Sequence, residues 1–331
     1  MNGGTQTRPD TMLTVEGLSV GIKQNKSYLY AVRDISFAIP KGEIAGIVGE
    51  SGCGKSLTAL SIPRLLPSAA AVTSGTITLG GQQLLDLSPK DMNKIRGKEV
   101  SMIFQDPVLS LNPLVKIGNQ IAESLKIHGE EDKIAIRNEV LTTMQKLGFE
   151  EPHKLLDLYP HQLSGGMCQR VMIALAIIGQ PRLLIADEPT TSLDVSTQAQ
   201  ILELLSIINR IFGTTILFIS HNLNVIHQLC HRVIVMYAGK IVEWGSIDQV
   251  YFHPAHEYTR GLLGSIPSRE LKGKPLQHIP GKVPSIEEEF AGCPFAPRCA
   301  KAQGRCFTAF PQEQKTGEDH GVFCYYAQGV E

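Results

Sequence analysis

The stretch that most constrains this chain is residues 44–56, Ile-Ala-Gly-Ile-Val-Gly-Glu-Ser-Gly-Cys-Gly-Lys-Ser. Its apolar run, Ile44 to Val48, reads as a buried strand. Gly49, Gly52 and Gly54 follow, then Lys55 and Ser56, which completes the pattern G-x-x-x-x-G-K-[ST]. Such a chain has to supply a strand, a tight loop and a helix in succession. The glycines let the backbone wrap an anion with its N–H groups pointing inward. The helix that starts near Lys55 adds its positive dipole end. Lys55 can reach terminal phosphates and the Ser56 hydroxyl can hold Mg²⁺. The expected phosphate-binding set is therefore Gly49, Glu50, Ser51, Gly52, Cys53, Gly54, Lys55, Ser56 and Leu57. An ordinary glycine-rich turn would leave the order strand, loop, helix unexplained.

Composition narrows the partners. The 331 residues carry 31 basic and 32 acidic side chains, a net charge of −1, so no global field draws the chain to nucleic acid. No stretch is long and apolar enough to cross a bilayer, and Pro63, Arg64 and Pro67 interrupt the best candidate. Met1 to Asp10 is polar and lacks an apolar signal core. The chain by itself is expected to be cytosolic. Seven cysteines are present, and the last four, Cys293, Cys299, Cys306 and Cys324, fall within 32 residues. In a reducing compartment such a cluster suggests metal before disulfides.

Taken in order, residues 1–10 read as a loose tail. Leu13 to Ile22 and Tyr30 to Ile39 are expected strands, joined by the polar stretch Lys23–Ser27. The helix after Gly54 should end or kink at Pro63. Thr76–Gly81 reads as a strand and a tight turn. Between 90 and 180, Ile117, Ile121 and Leu125 recur at helical spacing, as do Ile136, Val140, Met144 and Leu147. These stripes mark a mainly helical sub-domain inserted into an α/β core. Strand signals return at Leu183–Ala186 and Thr215–Ser220, with a helix over Gln198–Phe212 between them. Val233–Tyr237 and Lys240–Trp244 flank Ala238-Gly239 as a hairpin. Alternating strand and helix argues for a parallel sheet. Residues 256–331 are rich in Pro and Gly, carry no long periodicity, and call for a staple or an external surface to fold on.

Two further constellations carry chemistry. Asp187 and Glu188 end an apolar strand. Beside a phosphate loop the first can hold Mg²⁺ through its water shell and the second can take a proton from an attacking water. Leu163-Ser164-Gly165-Gly166-Met167 precedes a helix carrying Val171, Leu175 and Ile178. Ser164 is a natural N-cap there, and the glycines permit a second anion-binding helix start.

Together these segments resemble the ATP-binding-cassette ATPases. Leu163–Met167 with Gln169-Arg170 resembles their signature motif, and Gly49–Ser56 and Leu183–Glu188 their two Walker motifs. Gln105, in Phe104-Gln105-Asp106-Pro107, resembles the Q-loop glutamine. Ser192-Leu193-Asp194 resembles the D-loop and His221 the switch histidine. The resemblance implies a P-loop NTPase core of the cassette type, with an antiparallel β layer, the inserted helical sub-domain (about 90–180) and a Cys-rich extension. The cassette would span 11–255 and the extension 256–331. It also implies two cassettes closing head to tail around two ATP molecules. Each ATP would lie between one subunit's phosphate loop and the other's Ser164, Gly165 and Gly166. Ser56 and Gln105 would serve Mg²⁺, Glu188 would polarise water, and His221 would contact the γ-phosphate.

A narrower resemblance is to the ATP-binding subunits of bacterial dipeptide and oligopeptide importers. It rests on Phe104–Pro107 with Ser110-Leu111-Asn112-Pro113, Tyr159-Pro160-His161-Gln162, Tyr237-Ala238-Gly239, and Cys293-Pro294-Phe295-Ala296-Pro297-Arg298-Cys299 followed by Cys306 and Cys324. It implies two membrane permease subunits, an extracytoplasmic peptide-binding protein and a second cassette, a paralogue. The expected location is peripheral, on the cytoplasmic face of the inner membrane. Importers of nickel and other small solutes share much of the pattern. The cysteine spacing C-x₅-C-x₆-C-x₁₇-C lacks the paired C-x₂-C of a zinc ribbon. Four thiolates can hold zinc or an iron–sulfur cluster, and the resemblance favours [4Fe–4S].

Some positions depart from the family pattern. Ile22 stands near a usual place for the aromatic that stacks on adenine, and Tyr28 or Tyr30 is the candidate substitute. Asn222 follows His221 where an acid is common. A soluble cassette acting on DNA or ribosomes is the competing class. It often needs fused cassettes, a coiled-coil insertion or basic surfaces, and this chain has a single cassette, no long heptads and balanced charge. Nucleic acid is therefore not an expected partner.

Overall fold

The computed structural model describes residues 10–25, 27–191, 193–266, 278–317 and 319–327. Residues 1–9 of the expected tail, residues 1–10, and the first D-loop residue, Ser192, lie outside the described residues. The chain forms two compact units. One comprises Met1–Ile39, Ile44–Leu85 and Phe218–Glu331, the other Pro40–Glu43 and Asp86–Leu217.

The first unit contains an antiparallel sheet in the order Ser27–Pro40, Thr11–Gln24, Ala70–Leu79, Gln82–Gln83. Leu13 faces Leu79 and Val15 faces Ile77, and all four are buried. The register slips between Glu16 and Val20. Gly17 at φ +59° and Gly75 at φ +96° sit at this bulge, and a Cβ on Gly75 would lie 2.6 Å from the Glu16 carbonyl. Both strands run longer than their alternation predicts, because edge and bulge positions carry polar residues that still pair.

In the same unit the phosphate-loop strand, Ile44–Val48, pairs parallel with Arg232–Tyr237, Gly46 beside Val233. All five of its residues are buried. A strand covered on both faces reads as a continuous apolar run, as this one does. Arg232–Tyr237 turns back into Lys240–Ser246 through Ala238 at φ 45° and Gly239 at φ 82°. Two consecutive left-handed residues are the geometry of a two-residue hairpin turn. The extension adds what the sequence did not reveal. His320–Val322 pairs along Lys240–Ser246, and Gln314–Gly317 pairs outside it. These short strands gain stability from an existing sheet edge rather than from a periodic pattern of their own.

The second unit holds the helical stripes. Ile117, Ile121, Ile136, Val140, Met144 and Leu147 are buried, and Leu125 is half-buried. The helices are Ile117–Ile127, Lys133–Lys146, Gly165–Ile177 and Val195–Phe212. On the last, Ile201, Leu204, Leu205 and Ile208 face the core, each contributing about 2 kcal/mol through burial. Asp194 caps this helix by accepting from the Ser196 and Thr197 amides, and Gly213 closes it at φ 64°. Residues 90–180 are not helical throughout. Val100–Ile103 is a strand that pairs parallel with Leu183–Asp187, Met102 beside Ile185. Four residues are too few for periodicity to separate a buried strand from a helical turn.

Candidate nucleotide site

The phosphate loop leaves its strand through Gly49, which only glycine can occupy. A Cβ there would collide with the Met236 carbonyl and lie 2.7 Å from the Cys53 sulfur. Gly54, at φ +102°, ends the loop and caps the helix Lys55–Ser61. The helix stops one residue before Ile62-Pro63, as proline requires. Lys55 is buried, and its Nζ donates to the carbonyls of Gly49 at 2.8 Å and Glu50 at 3.1 Å. Its ammonium is thus held over the mouth of the loop. Cys53 is buried and burial raises its thiol pKa, which makes it a poor nucleophile rather than a reactive centre. The same holds for Cys168. His221 is exposed at the end of Thr215–Ser220, and Asn222 caps the helix Leu223–Leu229 that follows.

Glu50 is fixed at each of its polar groups. Its amide donates to the Tyr258 hydroxyl at 2.8 Å. Its carbonyl accepts from Lys55 and from the Cys53 amide. Its carboxylate accepts from both terminal nitrogens of Arg298, at 2.7 and 3.2 Å. Neither Arg298 nor Tyr258 is legible from the loop's sequence. Arg298 lies between two cysteines in the extension, and only folding brings it here.

In the second unit Asp187 is buried at the end of Leu183–Asp187 and Glu188 follows, half-buried, at φ 46°. A left-handed glutamate is strained, and such strain persists where the surroundings hold it. The Thr191 hydroxyl donates to Glu188 Oε2 at 2.8 Å, and Gln105 Nε2 stands 3.5 Å from the same oxygen. The fold thus brings together two residues that lie 83 positions apart. Ser164 caps Gly165–Ile177 by accepting from the Met167 amide. Ser164 and Gly165 are exposed, so this helix start is open to an incoming group. The Ser196 and Thr197 hydroxyls hold the Asp194 carboxyl well below the usual carboxylate range.

Tyr28 and Tyr30 line one cavity of the first unit with Arg33 and Phe290. The Tyr28 ring lies against Gly21, where a Cβ would come within 2.8 Å of it. Ile22 does not line this cavity.

The four clustered cysteines also line a single cavity, with His256, Glu257 and Lys301. Burial raises the Cys293 thiol to about 12, and it raises Cys299 and Cys324 as well. Cys293 Sγ is 4.0 Å from His256 Nε2. Among the described residues, no three His, Cys, Asp or Glu converge as the ligands of a metal ion. The [4Fe–4S] cluster and the zinc alternative expected from the sequence therefore have no preformed ion site. What the fold provides is four thiols around one space.

The profile of the ABC transporter family matches residues 32–191, and that of the oligopeptide/dipeptide transporter C-terminal region matches 242–306. The dipeptide transport ATP-binding protein DppD of Bacillus subtilis is 45% identical over 317 residues, 96% of this chain and 95% of that protein. The oligopeptide transport ATP-binding protein OppD of Escherichia coli is 42% identical over 94% of this chain and 92% of its own. Among solved structures, the dimeric ATP-binding cassette MJ0796 in a post-hydrolysis state, bound to ADP and Pi, is similar at a TM-score of 0.64. It is 28% identical and covers 71% of this chain and 99% of its own. This chain belongs to the ATP-binding-cassette ATPases, in the branch whose cassette is followed by the oligopeptide/dipeptide transporter C-terminal region.

Proposed function

We propose that this ATPase powers the import of dipeptides or oligopeptides through a membrane permease. The observation that carries the reading is the 45% identity to a dipeptide transport ATP-binding protein across 96% of the chain, cassette and extension together. Import of nickel or another small solute by the same engine is the second reading. It draws on the family resemblance of the sequence, which importers of that kind share.

In the proposed cycle the loop amides, Lys55 and the adjoining helix start bind the phosphates of ATP. Ser56, Gln105 and Asp187 would supply the oxygen donors that suit Mg²⁺, a hard cation that keeps part of its water shell. The ion would neutralise charge on the β- and γ-phosphates. Glu188 takes the proton of the attacking water and His221 contacts the γ-phosphate. The open start of the helix at Ser164, Gly165 and Gly166 completes the nucleotide site of a second cassette, a paralogue, and that cassette completes this one. Tyr28 and Tyr30 are the candidates for stacking on adenine, with neither of them as the alternative. Two permease subunits and an extracytoplasmic peptide-binding protein complete the assembly, and the chain sits peripherally on the cytoplasmic face of the inner membrane. No helix among the described residues is long and apolar enough to cross a membrane. The cysteine-lined cavity is the proposed seat of a [4Fe–4S] cluster, which spreads its thiolates further apart than a single ion does. Anaerobic purification with iron, sulfide and zinc analysis tests it: about four irons and four sulfides per chain are expected, and a chain carrying neither iron nor zinc contradicts it.

The function is tested by pulling the tagged chain from membranes and measuring ATP-driven peptide uptake in vesicles reconstituted from what co-purifies. Two hydrophobic permease subunits and uptake that stops with Lys55→Ala are expected. ATPase activity stimulated by nucleic acid, with no membrane partner, would overturn it.

A further inference from the structure

An anion-binding loop has little use for a carboxylate, yet Glu50 is the one acidic side chain between Gly49 and Ser56. Left bare, it would repel a triphosphate. Arg298 meets it with both terminal nitrogens, a fork-to-fork pair that cancels the charge and fixes the direction of the side chain. Arg298 is itself locked. Its side chain is only 5% exposed. Nε donates to the Pro280 carbonyl at 2.8 Å, Nη2 to the Ile279 carbonyl at 3.3 Å, and Nη1 to the Tyr237 hydroxyl at 3.1 Å. Tyr237, Tyr258 and Phe295 pack as an aromatic trio, with ring centroids 4.6 to 5.4 Å apart. The trio ties the Glu50 amide, through Tyr258, to the segment between Cys293 and Cys299. Few alternatives are open to a guanidinium so enclosed.

We propose that Arg298 is a positioning residue for nucleotide binding: by neutralising and orienting Glu50, it lets the cysteine module of the extension set the affinity of the phosphate loop for ATP. The inference rests on the reading that Gly49–Ser56 holds the triphosphate. The pair is an electrostatic device as well as a packing one. Removing the cation restores a negative charge beside bound phosphates, and removing the carboxylate as well relieves it.

The test is binding of Mg-ATP to the purified full-length chain, read with a fluorescent ATP analogue and by ATP titration of hydrolysis. Arg298→Gln is expected to raise Kd and KM roughly tenfold, and to lower kcat by a smaller factor, from one uncompensated charge at an effective dielectric near 20. Adding Glu50→Gln is expected to bring Kd back to within about threefold of wild type, since the repelling charge is gone. A purely structural role for Arg298 would not be rescued by a second change in the loop. Unchanged Kd in Arg298→Gln, or a further loss in the double variant, overturns the proposal. Should Arg298→Gln fail to fold, Arg298→Lys carries the test. A single ammonium cannot satisfy both carboxylate oxygens, so a rise of about threefold, removed by Glu50→Gln, is expected, and no rise overturns it. Lys55→Ala separates the two readings. If it leaves Kd unchanged, the phosphate-loop reading fails. If it weakens binding while Arg298→Gln does not, only the present inference fails.

Discussion

Gln105 Nε2 stands 3.5 Å from Oε2 of Glu188, the oxygen that also accepts from the Thr191 hydroxyl. The carboxylate that follows one strand is thus steadied from its own turn and by a glutamine that follows another strand. A carboxylate held this way can receive a proton from water in a fixed direction. Glu188→Gln keeps the shape and the hydrogen-bonding reach but removes the base. It is expected to bind ATP normally and to hydrolyse it at least roughly a hundredfold more slowly. Steady-state phosphate release checks this, and near-normal turnover would remove Glu188 from the role.

Lys55 gives a prediction about binding rather than turnover. In the structure its ammonium is satisfied by the Gly49 and Glu50 carbonyls. A triphosphate offers it stronger, charged acceptors. Lys55→Ala is expected to raise the nucleotide Kd roughly 10- to 100-fold, the range for a hydrogen bond to a charged group. Equilibrium binding at fixed salt measures it.

Gly49 gives a prediction about folding. A Cβ there meets backbone, the Met236 carbonyl, which cannot swing aside as a side chain can. Gly49→Ala is expected to destabilise the protein by about 2 kcal/mol, as overpacked cores do, and to weaken nucleotide binding with it. Urea unfolding with and without Mg-ATP separates the two effects.

The fold and the site were legible to different depths. The buried strand Ile44–Val48 announced itself because a strand covered on both faces is apolar throughout. The helical stripes at Ile117–Ile121 and Ile136–Leu147 announced themselves because one face of each helix is buried. Gly49 was readable as a glycine-only loop position and Ser164 as a helix cap, because both depend on local order along the chain. Val100–Ile103 was not, because its four residues carry no distinguishing period. The strands Gln314–Gly317 and His320–Val322 were hidden because they borrow a sheet edge. Arg298 was hidden for a different reason: its partner, Glu50, lies 248 residues away, and no local pattern records such a pairing.

The extension also predicts a pH dependence. His256 is fully enclosed, and burial lowers its pKa to about 4. Its Nδ1 accepts from the Tyr258 amide, and its own amide donates to the buried Glu243, which is paired with His320 at 2.8 Å. Between about pH 4 and the unfolded value near 6.5, the unfolded chain binds a proton that the folded chain refuses. This contribution to stability is complete above pH 6.5 and is lost as pH falls toward 4, by up to roughly 3 kcal/mol. Denaturant unfolding at pH 7.0, 5.5 and 4.5 should show the fall, and His256→Asn should flatten that part of it. An unchanged slope in the variant would show that other groups carry the dependence.

The most direct measurement is a structure of the Glu188→Gln chain, with its partner cassette, bound to Mg-ATP. The triphosphate is expected to be wrapped by Gly49–Ser56, with Lys55 on its terminal phosphates, and Ser164 to face the γ-phosphate held by the other cassette. A nucleotide seated elsewhere, or Ser164 turned away from that phosphate, would contradict it.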